Sequence, residues 1–152
     1  MPPARQASLW TCPRCGHQFT SPNLPHSCGR FRLDDHFRGR DIRLRKAFRG
    51  LVQATRHCGP ATVYAQKSRI VFMVRVRFAS VVVGARALRL GLWLTRKVEH
   101  PLAFRVERLG PRVFYTYFRL ASPDDIDPDL RSLMCEAHRI GRQEPLSKRS
   151  AK

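Results

Sequence analysis

Cys12-Pro13-Arg14-Cys15-Gly16, followed by His26-Ser27-Cys28, places two close pairs of soft donors near the start of the chain. Zn²⁺ takes four such ligands in a tetrahedron, and a Cys-x-x-Cys turn lets both sulfurs reach one ion while backbone N–H groups of the turn point at them. Gly16 permits the positive φ that so tight a turn requires, and Pro13 stiffens the approach. His26 and Cys28 are closer together than the usual second pair, but residues two apart in an extended segment face the same way. The expectation is a structural zinc ion held by Cys12, Cys15, His26 and Cys28, with no open catalytic position and with His17 as the substitute ligand. A thioredoxin-like dithiol is disfavoured because no βαβ pattern surrounds the pair. A disulfide framework is disfavoured by the odd count of five cysteines and by the lack of a preceding apolar signal segment. Cys58 and Cys135, which fall in helical patterns, are expected to be small buried or half-buried apolar residues.

A second group that could do chemistry is Lys97, Glu99 and His100, together with Lys67 and Arg69. A carboxylate beside an imidazole suits acid–base work, and nearby cations suit a phosphate or carboxylate. Neighbours on a strand point to opposite faces, so Glu99 and His100 need a turn at Pro101 to cooperate; the structural alternative pairs Glu99 with an arginine and has His100 cap the strand end. With Arg75, Tyr115 and Tyr117, this group forms a possible ligand pocket on a sheet. No Gly-x-Ser-x-Gly elbow, phosphate-cradling glycine loop or His-Glu-x-x-His helix occurs, so an enzyme is not the favoured reading. Asp124, Asp125, Asp127 and Asp129 cluster ahead of a helix, where capping and dipole compensation account for them.

Charge supplies the other large signal. Among 152 residues, 29 Lys and Arg stand against 11 Asp and Glu, a formal net charge of +18. Arginine far outnumbers lysine, as a GC-rich genome would dictate, but codon bias does not explain the shortage of acids. Polyanions are the natural partners of such a field. The favoured functional expectation is therefore a non-enzymatic zinc-containing protein that contacts DNA or RNA. Arg14, Arg30, Arg32, Arg43, Lys46 and Arg49 would touch phosphates, with Trp10 and Phe31 available for stacking. The small-ligand pocket is the alternative, and a protein partner docking on the knuckle is a third possibility. No run approaches the roughly 20 apolar residues needed to cross a bilayer, which with unpaired thiols and zinc–thiolate chemistry points to a cytoplasmic protein without a membrane partner.

These groups must be positioned by a small set of elements. Residues 1–9 form a lead-in expected to be disordered, 10–32 a zinc knuckle too small to fold without metal, 33–141 the main domain, and 142–152 a basic flexible tail. A brief helical turn at Leu33 to Phe37 precedes a helix from Asp41 to His57, where Leu44, Phe48, Leu51, Val52 and Thr55 make one stripe and Gly59-Pro60 stops it. From Ala61 the period becomes two. Ile70, Phe72, Val74, Val76 and Phe78 read as one face of a long strand, with Val71, Met73, Arg75 and Arg77 on the other. Leu88, Leu90, Leu92 and Leu94 alternate with Arg89, Gly91 and Trp93 after a Gly84-Ala85 turn. Phe104 to Leu109 and Val113 to Leu120 alternate again. Asp127-Pro128 then opens a last helix carrying Leu130, Leu133, Met134 and Ala137. The expected fold is α+β: an antiparallel sheet of about four to five strands flanked by two main helices, with the zinc knuckle at one edge.

With the elements placed, the chain resembles the bacterial family known as domain of unknown function 5655, often found behind a short N-terminal cysteine module. The resemblance rests on Trp10-Thr11-Cys12-Pro13-Arg14-Cys15-Gly16 with His26-Ser27-Cys28, on Arg77-Phe78-Ala79, on Arg96-Lys97-Val98-Glu99-His100-Pro101, and on Phe118-Arg119-Leu120 leading to Asp125-Ile126-Asp127. It spans nearly the whole chain, and the zinc segment and Val98-Glu99-His100-Pro101 are its distinctive parts. It implies the fold and no activity.

Overall fold

The computed structural model describes residues 9–11, 13, 18–19 and 31–143. Two short strands, β1 (Trp10–Thr11) and β2 (Gln18–Phe19), pair antiparallel. After them come α1 (Leu33–Phe37) and α2 (Ile42–Cys58), then six strands: β3 (Thr62–Ala65), β4 (Ile70–Met73), β5 (Arg77–Val83), β6 (Leu88–Leu94), β7 (Ala103–Gly110) and β8 (Val113–Leu120). A 3-10 turn at Pro123–Asp125 leads into α3 (Pro128–Gly141). The six strands form one antiparallel sheet in the order β3-β4-β5-β6-β8-β7.

The helices start and stop where local chemistry dictates. Asp41 caps α2 by accepting the Arg43 N–H at 2.9 Å. Gly59 ends the helix at φ 148°, a left-handed position that also leaves room for His138, whose ring would lie 2.8 Å from an added Cβ. Asp127 caps α3 by accepting the Leu130 N–H at 2.7 Å, with Pro128 in the first turn. Leu44, Ala47, Phe48, Leu51, Ala54 and Thr55 of α2 and Leu130, Leu133, Met134 and Ala137 of α3 are buried. They meet Ile70, Phe72, Val81, Leu88, Leu90, Leu92, Leu94, Phe118 and Leu120, so both long helices cover one face of the sheet. Phe48, Phe72 and Phe78 run ring to ring through this core, with centroids 6.0 and 6.4 Å apart.

Three sequence expectations change. The sheet has six strands, not four to five, because Thr62–Ala65 forms an edge strand paired to β4 and one expected strand divides in two. The long strand through Phe78 is instead a hairpin, with β4 ending at Met73 and β5 beginning at Arg77. Its turn carries no Gly, Pro or Asn; the N–H groups of Arg75 and Val76 both donate to the Gly141 carbonyl, at 3.2 and 2.9 Å, so the C-terminal end of α3 fixes the reversal. Alternation continues through Val74 and Val76, and a period of two therefore could not reveal it.

The third change concerns the thiols. Cys58 and Cys135 are joined as a disulfide with Cα atoms 5.1 Å apart, tying the last residue of α2 to the middle of α3. They are not separate apolar residues. Both lie half-buried in helical segments, as expected, and α2 and α3 come close enough there to be bridged. The bridge withdraws the argument from these two unpaired thiols to a reducing compartment. No helix among the described residues is long and apolar enough to cross a membrane.

Both edges of the sheet are guarded. Phe31 bridges to Ala65 of β3, and β7 carries Arg105, Glu107 and Arg108 between irregularities of register at its two ends. Charged side chains and bulges of this kind discourage further strand pairing.

Candidate functional site: the open face of the sheet

Among the described residues the helices cover only one face. On the other, the register lines up Val71, Ser80, Gly91 and Tyr117 in one row across β4, β5, β6 and β8. A second row sets Trp93 beside Tyr115 and Tyr115 beside Glu107. Because side chains alternate, the strand that sends Leu88, Leu90, Leu92 and Leu94 into the core sends Arg89, Gly91 and Trp93 to this face.

Tyr115 organises the surface. It leans across β6, over Gly91, until its hydroxyl hydrogen-bonds Ser80 Oγ on β5. An added Cβ at Gly91 would sit 2.3 Å from the Tyr115 hydroxyl, so the absence of a side chain there is what lets the ring lie flat on the sheet. Trp93 stacks obliquely on it with centroids 4.9 Å apart, and Tyr117 meets it edge-on at the same separation. Burial pushes the Tyr115 phenol above its ordinary value, opposed by the bond to Ser80 and by the charges of Arg69 and Arg89. The phenol stays neutral through the physiological range and can donate or accept.

Around these rings the surface sinks into a cleft of about 420 Å³. Val71, Met73, Val76 and Leu109 make its apolar walls, Arg69 and Arg77 bring cations, and Gln18 of β2 contributes to the rim. Val71 and Met73 belong with Tyr64 to a small buried apolar cluster separate from the main core. Tyr117 carries the guanidiniums of Arg89 and Arg105 at 5.5 and 5.8 Å from its ring centre. Arg105 also pairs with Glu107 at 2.9 Å. Glu107 is the one carboxylate among the described residues that line the cleft.

The expected pocket residues separate into two groups. Arg69, Tyr115 and Tyr117 lie on the cleft. Lys67, Lys97 and Glu99 are exposed elsewhere, and Arg75 reaches Gln143 Oε1 at 2.8 Å beside the end of α3. His100 is 2% exposed at its side chain and is committed to structure. Its Nδ1 accepts the Leu102 N–H at 3.1 Å, so the partners place the proton on Nε2, which donates to Asp127 Oδ2 at 3.0 Å. The same carboxylate caps α3. Asp127 is held below the usual carboxylate range, first by the Leu130 N–H and then by His100. His100 and Asp127 thus latch the segment between β6 and β7 to the start of α3, and the nitrogen that a general base would use is occupied.

Of the residues expected to contact nucleic acid, Trp10 is half-buried in β1, while Phe31, Arg32, Arg43, Lys46 and Arg49 are exposed. Arg43 is held by Asp41 at 3.1 Å. Arg14 and Arg30 lie outside the described residues, as do Cys12, Cys15, His17, His26 and Cys28, the lead-in through position 8 and the tail from position 144. Among the described residues no group of three or more His, Cys, Asp or Glu converges as a metal site.

Ser80, Gly91, Trp93, Met73 and Glu107 were not singled out from sequence. A usable signal was present: the outward positions from Arg89 to Trp93 and from Tyr115 to Arg119 are aromatic, glycine or arginine instead of the Ser, Thr, Glu and Lys of an ordinary solvated face. An antiparallel sheet covered by helices on one side, with an aromatic cleft on the other, is the class that fold and site define. By sequence the chain belongs to the family described as Domain of unknown function (DUF5655), whose profile matches residues 33–141. No curated protein matches the chain, and no solved structure does.

Proposed function

We propose that this protein is a small-molecule-binding protein and that its ligand occupies the cleft on the open face of the sheet. The observation that carries the reading is the conjunction of a ligand-sized cavity, about 420 Å³, with three aromatic rings, a hydroxyl pair and two arginines against a single carboxylate. Mostly apolar concavities of this size with a few convergent polar groups are the usual form of ligand sites. The balance of charge favours an anionic ligand, in line with the net charge of +18. The pocket sketched from sequence around Lys97 and His100 moves accordingly to Trp93, Tyr115 and Tyr117.

Amide-resolved NMR with a library of small organic acids tests this. Shifts should concentrate at residues 69–80, 91–93 and 107–117. Shifts confined to α2, or no response to any library member, would remove the reading.

Nucleic-acid binding is the second reading, and what favours it is the exposed row of Lys46, Arg49 and Arg56 along α2. Exchanging these three for Gln should lower affinity for every labelled DNA or RNA alike and flatten its salt dependence. Binding that heparin displaces equally from all forms would reduce the row to a solvated surface. Zinc at Cys12, Cys15, His26 and Cys28 belongs to the same proposal: native mass spectrometry should find one ion per chain, lost on exchanging Cys12 and Cys15 for Ser.

A further inference from the structure

The cleft is not symmetric, and its asymmetry bears on what it holds. Arg69, immediately before β4, is followed by Val71 and Met73 on the strand, so the cleft wall has a cation at one end and a thioether at the other. Ser80 sits opposite Val71, so the Ser80–Tyr115 hydroxyl pair stands between Arg69 and the Met73 end. Trp93, one step beyond Gly91 on β6, lies toward the Met73 end, where Val76 and Leu109 add apolar wall.

The cations differ as well. Arg89 and Arg105 are laid on the Tyr117 ring, and Arg105 is further neutralised by Glu107. Arg77 is half-buried on β5 near Met73. Arg69 is exposed, forms no ion pair among the described residues, and lines the same cleft as the Ser80–Tyr115 pair. A guanidinium and two hydroxyls lining one cleft offer an anion a charged donor and neutral donors together, the combination that makes strong, oriented hydrogen bonds.

We propose that the cleft binds an amphipathic organic anion in a single orientation, its acidic headgroup between Arg69 and the Ser80–Tyr115 pair and its flat apolar body against Trp93, Met73 and Leu109. The proposal rests on reading the cleft as a ligand site. Carboxylate and phosphate headgroups share the chemistry that Arg69 and the hydroxyls recognise. Trp93 supplies a ring for the body to stack on, which a purely ionic site would not need.

Calorimetric titration of the full-length protein with 2-naphthoate, 2-naphthyl phosphate and the uncharged 2-naphthalenemethanol separates the two claims. At least one of the acids should bind about tenfold or more tightly than the alcohol, as a charged hydrogen bond to the headgroup implies. Arg69→Gln should erase that preference while leaving the alcohol's affinity within about twofold, and Arg69→Lys should retain part of it. Tyr115→Phe should weaken the acids several-fold more than the alcohol. Whichever acid binds more tightly names the headgroup. Equal binding of acids and alcohol would overturn the orientation and leave the cleft as a ligand site. A preference that survives Arg69→Gln and disappears in Arg77→Gln would reverse the orientation and likewise overturn the proposal. Failure of all three probes to bind would overturn the cleft reading itself. Melting curves of each variant show that the exchange at an exposed arginine leaves the fold intact.

Discussion

The two faces of β6 are built from neighbouring residues and do opposite things. Leu88, Leu90, Leu92 and Leu94 are at most 1% exposed beneath the helices. Arg89, Gly91 and Trp93, interleaved with them, carry a cation, a gap and a ring to the other side. The covered face needs volume and apolarity, with each buried leucine contributing roughly 1.5–3 kcal/mol. The open face buries less: Val71, Met73 and Tyr115 are covered, while Arg69, Trp93, Glu107 and Tyr117 stay at least partly exposed. It is free to accept residues chosen for what they hold, and it collects the aromatics and arginines.

That contrast can be put under strain. The largest effect should come from Leu92→Ala, which opens a cavity under both helices and should cost about 2–5 kcal/mol in a denaturant titration. Trp93→Ala, one residue away, should cost clearly less, about 1–2 kcal/mol for the lost ring pair, and remove ligand binding. Comparable losses at both positions would mean that the open face is a second core. Next in size is the disulfide: exchanging Cys58 and Cys135 together for Ser releases a closure of 77 residues and should cost about 2–4 kcal/mol. Near-equal stability of oxidised and reduced protein would show that helix contacts alone hold the covered face. Gly91→Ala should then cost about 1–3 kcal/mol, because the methyl group displaces the Tyr115 ring. Its clearer readout is the phenol itself: a ring displaced toward solvent loses the burial that raises it, and Tyr115 should titrate nearer its ordinary value.

The smallest effect concerns the latch at the end of the covered layer. Asp127→Ala should cost about 1 kcal/mol, as removal of a helix N-cap does. Because the folded protein holds this carboxyl below its unfolded value, its contribution is fully present above the ordinary carboxylate range and is lost as pH falls through the depressed folded value. The wild type should therefore lose more stability than Asp127→Ala on acidification below about pH 4, and parallel pH profiles would refute the assignment.

How much of this was legible in sequence differs between the same two faces. The covered face was plain: the leucine alternation of β6, the aromatic alternation of β8, the α2 stripe and the Asp127-Pro128 start are local patterns, and each appears where expected. Of the cleft on the open face, two tyrosines and Arg69 were read as site residues, while Val71, Met73, Arg77 and Trp93 were read only as the outer positions of single strands. Trp93, Ser80 and Glu107 belong to three different strands, and only the strand order brings them together. The turn at Val74 to Val76 was hidden for a related reason, since the group that specifies it, the Gly141 carbonyl, lies at the far end of the domain. His100 was read as either a chemical group or a cap. Its partners Asp127 and Leu102 decide for structure, and Asp127 is distant in sequence.

The strand order has a consequence in time. β8 lies between β6 and β7, so β7 is synthesised before the strand it pairs with. While β7 emerges, β6 offers a bare hydrogen-bonding edge with four leucines beside it, and nothing closes that edge until Val113 to Leu120 has left the ribosome. α3, which shields those leucines, comes later still. The nascent chain thus passes through a window in which its most adhesive strand is half-clothed, and growth conditions that slow synthesis between residues 95 and 141 should favour aggregates over the finished molecule.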